Sequence, residues 1–231
     1  MLPTKKQLLK AERSGSQEHV LPSGTVSFGK EQWETYFGKV GEAPPIPANI
    51  DEILNTPCPY YKGKTKKQTH LLVLIPEAVN GILLNLNTFR ELVKHPLTGN
   101  PSNYRAIYDT IVTQFGGIVP PEGSHWVLMT RGIIPGSKNK TYAQQQLRVE
   151  AETGYYIPDL LSAAVCILTY YVSTGKFLFR AETKASLTRC VEAVQNYQTT
   201  LGAFGADGIR IHFRLNDAFP DLGVAALQRL V

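Results

Sequence analysis

Residues 124–142 read SHWVLMTRGIIPGSKNKTY, and the order of chemistry in that stretch sets the expectation for the fold. Trp126, Val127, Leu128 and Met129 form an apolar run too short for a helix and bounded by turn residues, so it predicts a strand. Gly132, Pro135 and Gly136 then stop regular structure, and a helix rich in Gln and Ala is expected from Tyr142 to Glu152. A strand that ends in a polar glycine loop and opens a helix often holds an anion or substrate, because helix N-termini present unpaired N–H groups. Arg131, Ser137, Lys138, Asn139, Lys140 and Thr141 supply charge, hydroxyl and amide groups and are candidate binding residues. The loop is not a Walker A: Gly132 and Gly136 have the wrong spacing, and no GxGxxG is present. The plainer reading is a solvated connection with Ser137 or Asn139 as the helix cap.

Working outward, His70–Ile75 is a continuous apolar run, the pattern of a strand buried on both faces. Asn80-Gly81 is a hairpin turn signal, with Ile82–Leu86 returning as a strand. Asn87 is expected to cap a helix through Lys94, stopped before His95-Pro96. Tyr104, Ile107, Tyr108, Ile111, Val112 and Phe115 follow helical spacing up to Gly116-Gly117. The segment Pro158–Ser173 is apolar almost all round, so a soluble protein must bury it, and it is expected at the centre of the core. Strands are predicted at Lys176–Arg180, Thr199–Phe204 and Ile209–Leu215, with Gly205-Ala206-Asp207-Gly208 as a hairpin loop. Leu187–Val194 fits either a strand or a helical turn, and Gly223–Leu230 a short helix or strand. The class expected is a single α+β domain over residues 31–231, a mixed sheet with helices packed on it, behind a flexible tail at 1–30.

The 231 residues carry a formal charge of +5, and 43% are hydrophobic. That composition supports a sizeable core, and mild basicity admits phosphate or acidic partners without requiring them. Cys58, Cys166 and Cys190 are three in number, which is no disulfide framework and suits a reducing compartment. The first residues lack the apolar run of a signal peptide, and no apolar run reaches the roughly 20 residues of a membrane span. The expected setting is therefore cytoplasmic.

Motifs that carry chemistry are few. There is no HExxH, CxxC pair or GxSxG, and neither a metal nor a cofactor is expected. Lys62, Lys64, Lys66 and Lys67 form a basic run beside Tyr60 and Tyr61, a pattern that suits phosphates and stacked bases but is more often a solvated loop. Lys64, Lys66 and Lys67 join the candidate binding residues. Together the two basic segments suggest a non-catalytic binding module for a phosphate-bearing or acidic partner, a nucleic acid or an acidic protein surface. The alternative is a hydrolase-type enzyme in which Cys190, His212 and Asp217 meet as nucleophile, base and orienting carboxylate. His125 beside Arg131 is a further candidate pair for an anion.

A set of short motifs resembles a family of uncharacterised proteins that recurs in chlamydia-like bacteria. The matching pieces are Tyr36-Phe37-Gly38-Lys39-Val40-Gly41 with Pro44-Pro45; Pro57-Cys58-Pro59; Thr69–Pro76; Trp126–Thr130; Gly136–Tyr142; and Thr188-Arg189-Cys190. They span about residues 33–231. The chain departs from the family at Tyr60-Tyr61, where Phe-Trp is expected, and at Gly202-Ala203, where a Gly pair is expected. The resemblance implies no activity. It implies a bacterial setting, host-associated, in the cytoplasm or as a secreted effector.

Overall fold

The computed structural model describes residues 23–106, 109–119, 123–180 and 186–230. They form a single-domain α+β fold in which two mixed five-stranded sheets share one core. In the first sheet the order is β1 (Ser27–Phe28), β2 (His70–Ile75), β6 (His125–Thr130), β12 (Leu227–Leu230), β7 (Tyr155–Tyr156). In the second it is β11 (Leu222–Gly223), β8 (Leu187–Val194), β9 (Tyr197–Gly205), β10 (Gly208–Leu215), β5 (Tyr104–Ala106). A separate ribbon joins β3 (Ala78–Val79) to β4 (Ile82–Leu83) through Asn80 and Gly81, both at positive φ, as this two-residue turn requires.

The helices, in chain order, are α1 (Lys30–Tyr36), α2 (Ile50–Asn55), α3 (Lys66–Thr69), α4 (Leu86–Lys94), α5 (Asp109–Phe115), α6 (Tyr142–Glu150) and α7 (Leu160–Thr174). The last is the buried helix that the sequence predicts. Asp159 caps it by accepting from the Ser162 N–H (2.7 Å), and Gly175 ends it in the left-handed conformation (φ 68). It packs against β2 of the first sheet, β8 and β9 of the second, and α4. A helix covered by a sheet on each side needs apolar residues all round, and Leu160 to Thr169 is buried without interruption.

Several expectations are corrected. The one sheet becomes two, with α7 touching both. Tyr104 opens a strand rather than a helix: it pairs with Ile209 of β10, and the helix begins at Asp109. Only residues 104–106 and 109–115 bear on this, because 107 and 108 lie outside the described residues. Lys176–Arg180 forms no strand, only an isolated bridge from Arg180 to Phe204. The cap of α4 is Asn85, which accepts from the Thr88 N–H at 2.9 Å, not Asn87. Leu187–Val194 resolves as a strand. Within the expected tail, β1 and the start of α1 are regular structure; residues 1–22 lie outside the described residues.

Val224, Ala225 and Ala226 carry the chain from β11 in one sheet to β12 in the other, all fully buried. Extended chain between two sheets has no ladder to satisfy its N–H groups. Three hydroxyls take them instead. Val224 N–H donates to Ser137 Oγ (3.1 Å), Ala225 N–H to Thr188 Oγ1 (2.8 Å) and Ala226 N–H to Thr130 Oγ1 (3.1 Å). Each hydroxyl in turn donates to a nearby carbonyl, of Ile134, Arg189 and Gly132 respectively. The crossing is tight: a Cβ on Gly223 would stand 2.1 Å from Ile133 Cγ2 and 2.8 Å from Ser137 Oγ. Thr188→Val keeps the shape and removes the acceptor. It is expected to cost about 1–3 kcal/mol, the penalty of a buried unpaired N–H, read as a lower denaturation midpoint with unchanged slope. An unaltered midpoint would show that the crossing does not depend on this bond.

Candidate ligand-binding cleft

The residues expected to bind a partner are largely occupied in holding the fold. Ser137 is fully buried at the crossing. Arg131 donates through Nε to the His70 carbonyl and through Nη2 to the Lys67 carbonyl, both at 2.9 Å. Thr141, rather than Ser137 or Asn139, caps α6, accepting from the Gln144 N–H at 3.3 Å. Asn139 sits at positive φ (55), its N–H bonded to the Phe219 carbonyl. Lys66 donates to Gln228 Oε1 at 3.1 Å and lies over the Tyr155 ring. Lys62, Lys64 and Lys140 remain exposed, with Lys67 and Lys138 half-buried. The structure does join the two loops: Tyr61 Oη donates to the Ile133 carbonyl (3.0 Å) and Arg131 N–H to that of Thr69 (2.8 Å). His125 and Arg131 do not meet. They stand at opposite ends of β6, about 20 Å apart at the rise of an extended strand.

The Cys190, His212, Asp217 triad is not assembled. Arg189 and His212 both register with Thr200, from either side, and so share a face of the second sheet. Cys190, next to Arg189, faces the opposite way. It is fully buried, and burial pushes its thiol well above the ordinary range, whereas a nucleophilic thiol needs a depressed pKa. Asp217 offers its carbonyl to Arg189. That guanidinium is itself buried and bonds Gln145 Oε1 and the Leu215 carbonyl, a staple between α6, β8 and the loop after β10.

A buried histidine forms a second polar cluster. Thr69 Oγ1 donates to the Thr65 carbonyl (2.9 Å), so it must accept from His70 Nδ1–H (2.9 Å). Nε2 of the neutral ring then accepts from Tyr155 O–H at 3.1 Å. Every hydrogen-bonding atom of the ring is used. Burial, with the Lys66 charge adding to it, pulls His70 down to about 3. This is a structural histidine.

The charged groups that converge on open space lie elsewhere, in a cleft of about 260 Å³ at the N-terminal end of α7. Leu86, Phe115, Ile118, Val119 and Leu161 give it apolar walls. Its polar groups are Glu192 of β8, Asp159 at the cap of α7, His125 of β6, Tyr156 of β7 and Arg229 of β12. An irregularity in β8 positions the glutamate: register with β9 shifts between Arg189 and Ala193, and Val191 N–H turns to the Pro158 carbonyl. Bulges re-aim side chains in this way beside functional sites. Both Glu192 carboxylate oxygens accept from the Leu160 N–H, at 2.9 and 3.0 Å. Burial, and then the Asp159 charge, raise Glu192 to about 7. A carboxyl so placed exchanges a proton at neutrality and answers to any cation that enters. His125 Nδ1 bonds the Gly123 carbonyl (2.9 Å); it is the protonated nitrogen, which leaves Nε2 as the acceptor of the neutral ring.

The sequence reading named only His125 of these groups, and paired it wrongly. The one local signal for Glu192 is a carboxylate in the apolar second half of β8, between Val191 and Ala193; for Asp159 it is the helix start after Pro158. Among the described residues no group of three or more His, Cys, Asp or Glu is suited to a metal, and no helix is long and apolar enough to cross a membrane. In comparisons with family models, curated proteins and solved structures, nothing matches the chain.

Proposed function

We propose that the protein binds a small, largely apolar ligand in the cleft at the N-terminal end of α7, with Glu192 as the group that responds to its charge. The observation that carries this reading is the meeting of a neutral-titrating glutamate, a second carboxylate, a histidine and an arginine on one apolar-walled space. Convergent polar groups of perturbed pKa in an apolar pocket are the usual mark of a ligand site. A cavity of about 150 Å³ accepts benzene, so this one suits roughly a ring with a short chain. The test is amide NMR of the protein with three compounds sharing a phenylethyl body: an ammonium, an alcohol and a carboxylate. At least one is expected to shift the amides of residues 115–119, 156–161 and 191–193. Ile118→Trp, at a half-exposed wall position, is expected to abolish the shift. If none of the three moves those amides, the reading fails.

A second reading, a docking surface for an acidic or phosphate-bearing partner, is favoured by the joining of the two basic loops at one end of the first sheet. Its carriers are the exposed Lys62, Lys64 and Lys140, with Lys67 and Lys138. Binding to single-stranded nucleic acid is expected to weaken steeply with salt, the slope falling by roughly one for each phosphate contact removed by Lys138→Glu or Lys140→Glu. Absence of binding at about 50 mM salt, where such contacts are strongest, rejects nucleic acid as the partner. The three unpaired, buried cysteines and the resemblance of the short motifs support a bacterial cytoplasmic setting.

A further inference from the structure

We propose that the ligand of the cleft is a primary amine with an apolar body, its ammonium held between the Glu192 and Asp159 carboxylates. This rests on the cleft reading and narrows it to a chemical class. Two carboxylates from different elements border the same space, one on the bulge of β8 and one at the cap of α7. Each already accepts backbone N–H donors, which fixes its position before any ligand arrives. Two acids facing one low-dielectric space repel each other, and a cation between them removes that cost. Beside burial, the charge acting on Glu192 is that of Asp159, and Arg229 lines the cleft on the wall shared with the proline-lined groove of Pro44, Pro45 and Pro47. An ammonium carries three donors, and His125 Nε2 is a further acceptor on the same lining. An anion would have to approach both carboxylates. A metal ion would find only two carboxylates and one imidazole, and no metal-competent group exists among the described residues.

The inference has a protonic consequence. An ammonium requires the Glu192 carboxylate, so below neutrality its binding must expel the proton held there. The groups facing Glu192 are Asp159 ahead of α7, the Leu160 amide and Thr199 of β9. His125, Tyr156 and Arg229 line the same cleft. His125→Gln separates any part the imidazole plays from that of Glu192.

The experiment is calorimetric titration of the full chain with phenethylammonium at pH 6, 7 and 8, in two buffers of different ionisation enthalpy. 2-Phenylethanol and 3-phenylpropionate serve as the neutral and anionic matches. Phenethylammonium is expected to bind at least tenfold tighter than either match at pH 8. Its affinity is expected to fall by up to tenfold per pH unit below 7, with up to one proton released per ligand. His125→Gln is expected to keep that dependence and Glu192→Gln to lose it. Asp159→Asn retains a good helix cap and is expected to weaken the ammonium tenfold or more. If Glu192→Gln does not fold, the proton count on the wild-type chain decides alone. Equal or tighter binding of the alcohol or the carboxylate overturns the amine and leaves the cleft standing. Failure of all three to bind removes the cleft itself.

Discussion

Leu168→Asp is expected to leave no folded, soluble chain. Leu168 is fully buried on α7, between the two sheets. Every face of that helix meets protein, so a carboxylate there has no route to water by rotating its side chain. Burying it unpaired costs several kcal/mol even after it protonates, and the lost leucine leaves a void worth about 2–5 kcal/mol more. A domain with about 5–15 kcal/mol in hand does not absorb both. Leu147→Asp is the control. Leu147 lies on α6 and is 72% exposed, so the same substitution there is expected to shift the midpoint little. A soluble Leu168→Asp protein with the wild-type unfolding transition would mean that α7 does not occupy the core as described.

The second large effect is hidden in the wild type by cancellation. His70 is held at about 3 against an ordinary 6.5. A base whose folded pKa is lowered contributes stability that is complete above 6.5 and is lost as pH falls toward 3. Glu192 is held at about 7 against an ordinary 4.5. An acid whose folded pKa is raised contributes stability that is complete below 4.5 and is lost as pH rises through 7. Between 4.5 and 6.5 the unfolded chain binds one extra proton at His70 and the folded chain one extra at Glu192. The two slopes oppose, and wild-type stability is expected to be nearly flat across that window. Glu192→Gln removes one side of the balance. Its stability is expected to fall by about 1.4 kcal/mol per pH unit below 6.5, near 3 kcal/mol by pH 4.5. Urea denaturation at half-unit pH intervals reads both curves. Parallel curves for the two proteins would refute the assignment of Glu192, and a Glu192→Gln curve that is flat between 6.5 and 4.5 would refute that of His70.

Continuous apolar runs made β2, β6 and α7 legible in the sequence, and the glycines flanking Ala206-Asp207 announced the turn between β9 and β10. What stayed illegible was which neighbour covers each face. An apolar run reports burial, not partners, so β2 and β10 looked like members of one sheet. The all-round apolarity of α7 was the available sign of a second sheet, because a helix lying on one layer needs only one apolar stripe. Tyr104 shows the converse failure. Its spacing with Phe115 is helical, but pairing with Ile209 at the edge of the second sheet decides its conformation, a case of tertiary context overriding local pattern. The candidate loop misled for a related reason. The hydroxyls of Ser137 and Thr141 look available in sequence, and only the fold reveals that one serves the inter-sheet crossing and the other a helix end. The cleft draws on β6, β7, β8, β12 and the cap of α7, so no window of sequence contains it.

The crossing at Val224–Ala226 also bears on the order of assembly. The strand it delivers, β12, sits inside the first sheet between β6 and β7, yet it comes from later in the chain than every other strand. Its pairing Leu227↔Met129 closes a loop of nearly a hundred residues, the kind of distant contact that slows folding. Until that strand arrives, β6 and β7 have no common neighbour and three hydroxyls have no amide to receive. Without β12 the edge of β6 is open, and open strand edges are exposed to pairing with other chains. Completing the first sheet therefore requires an insertion between two strands, and the same crossing adds β11 to the edge of the second.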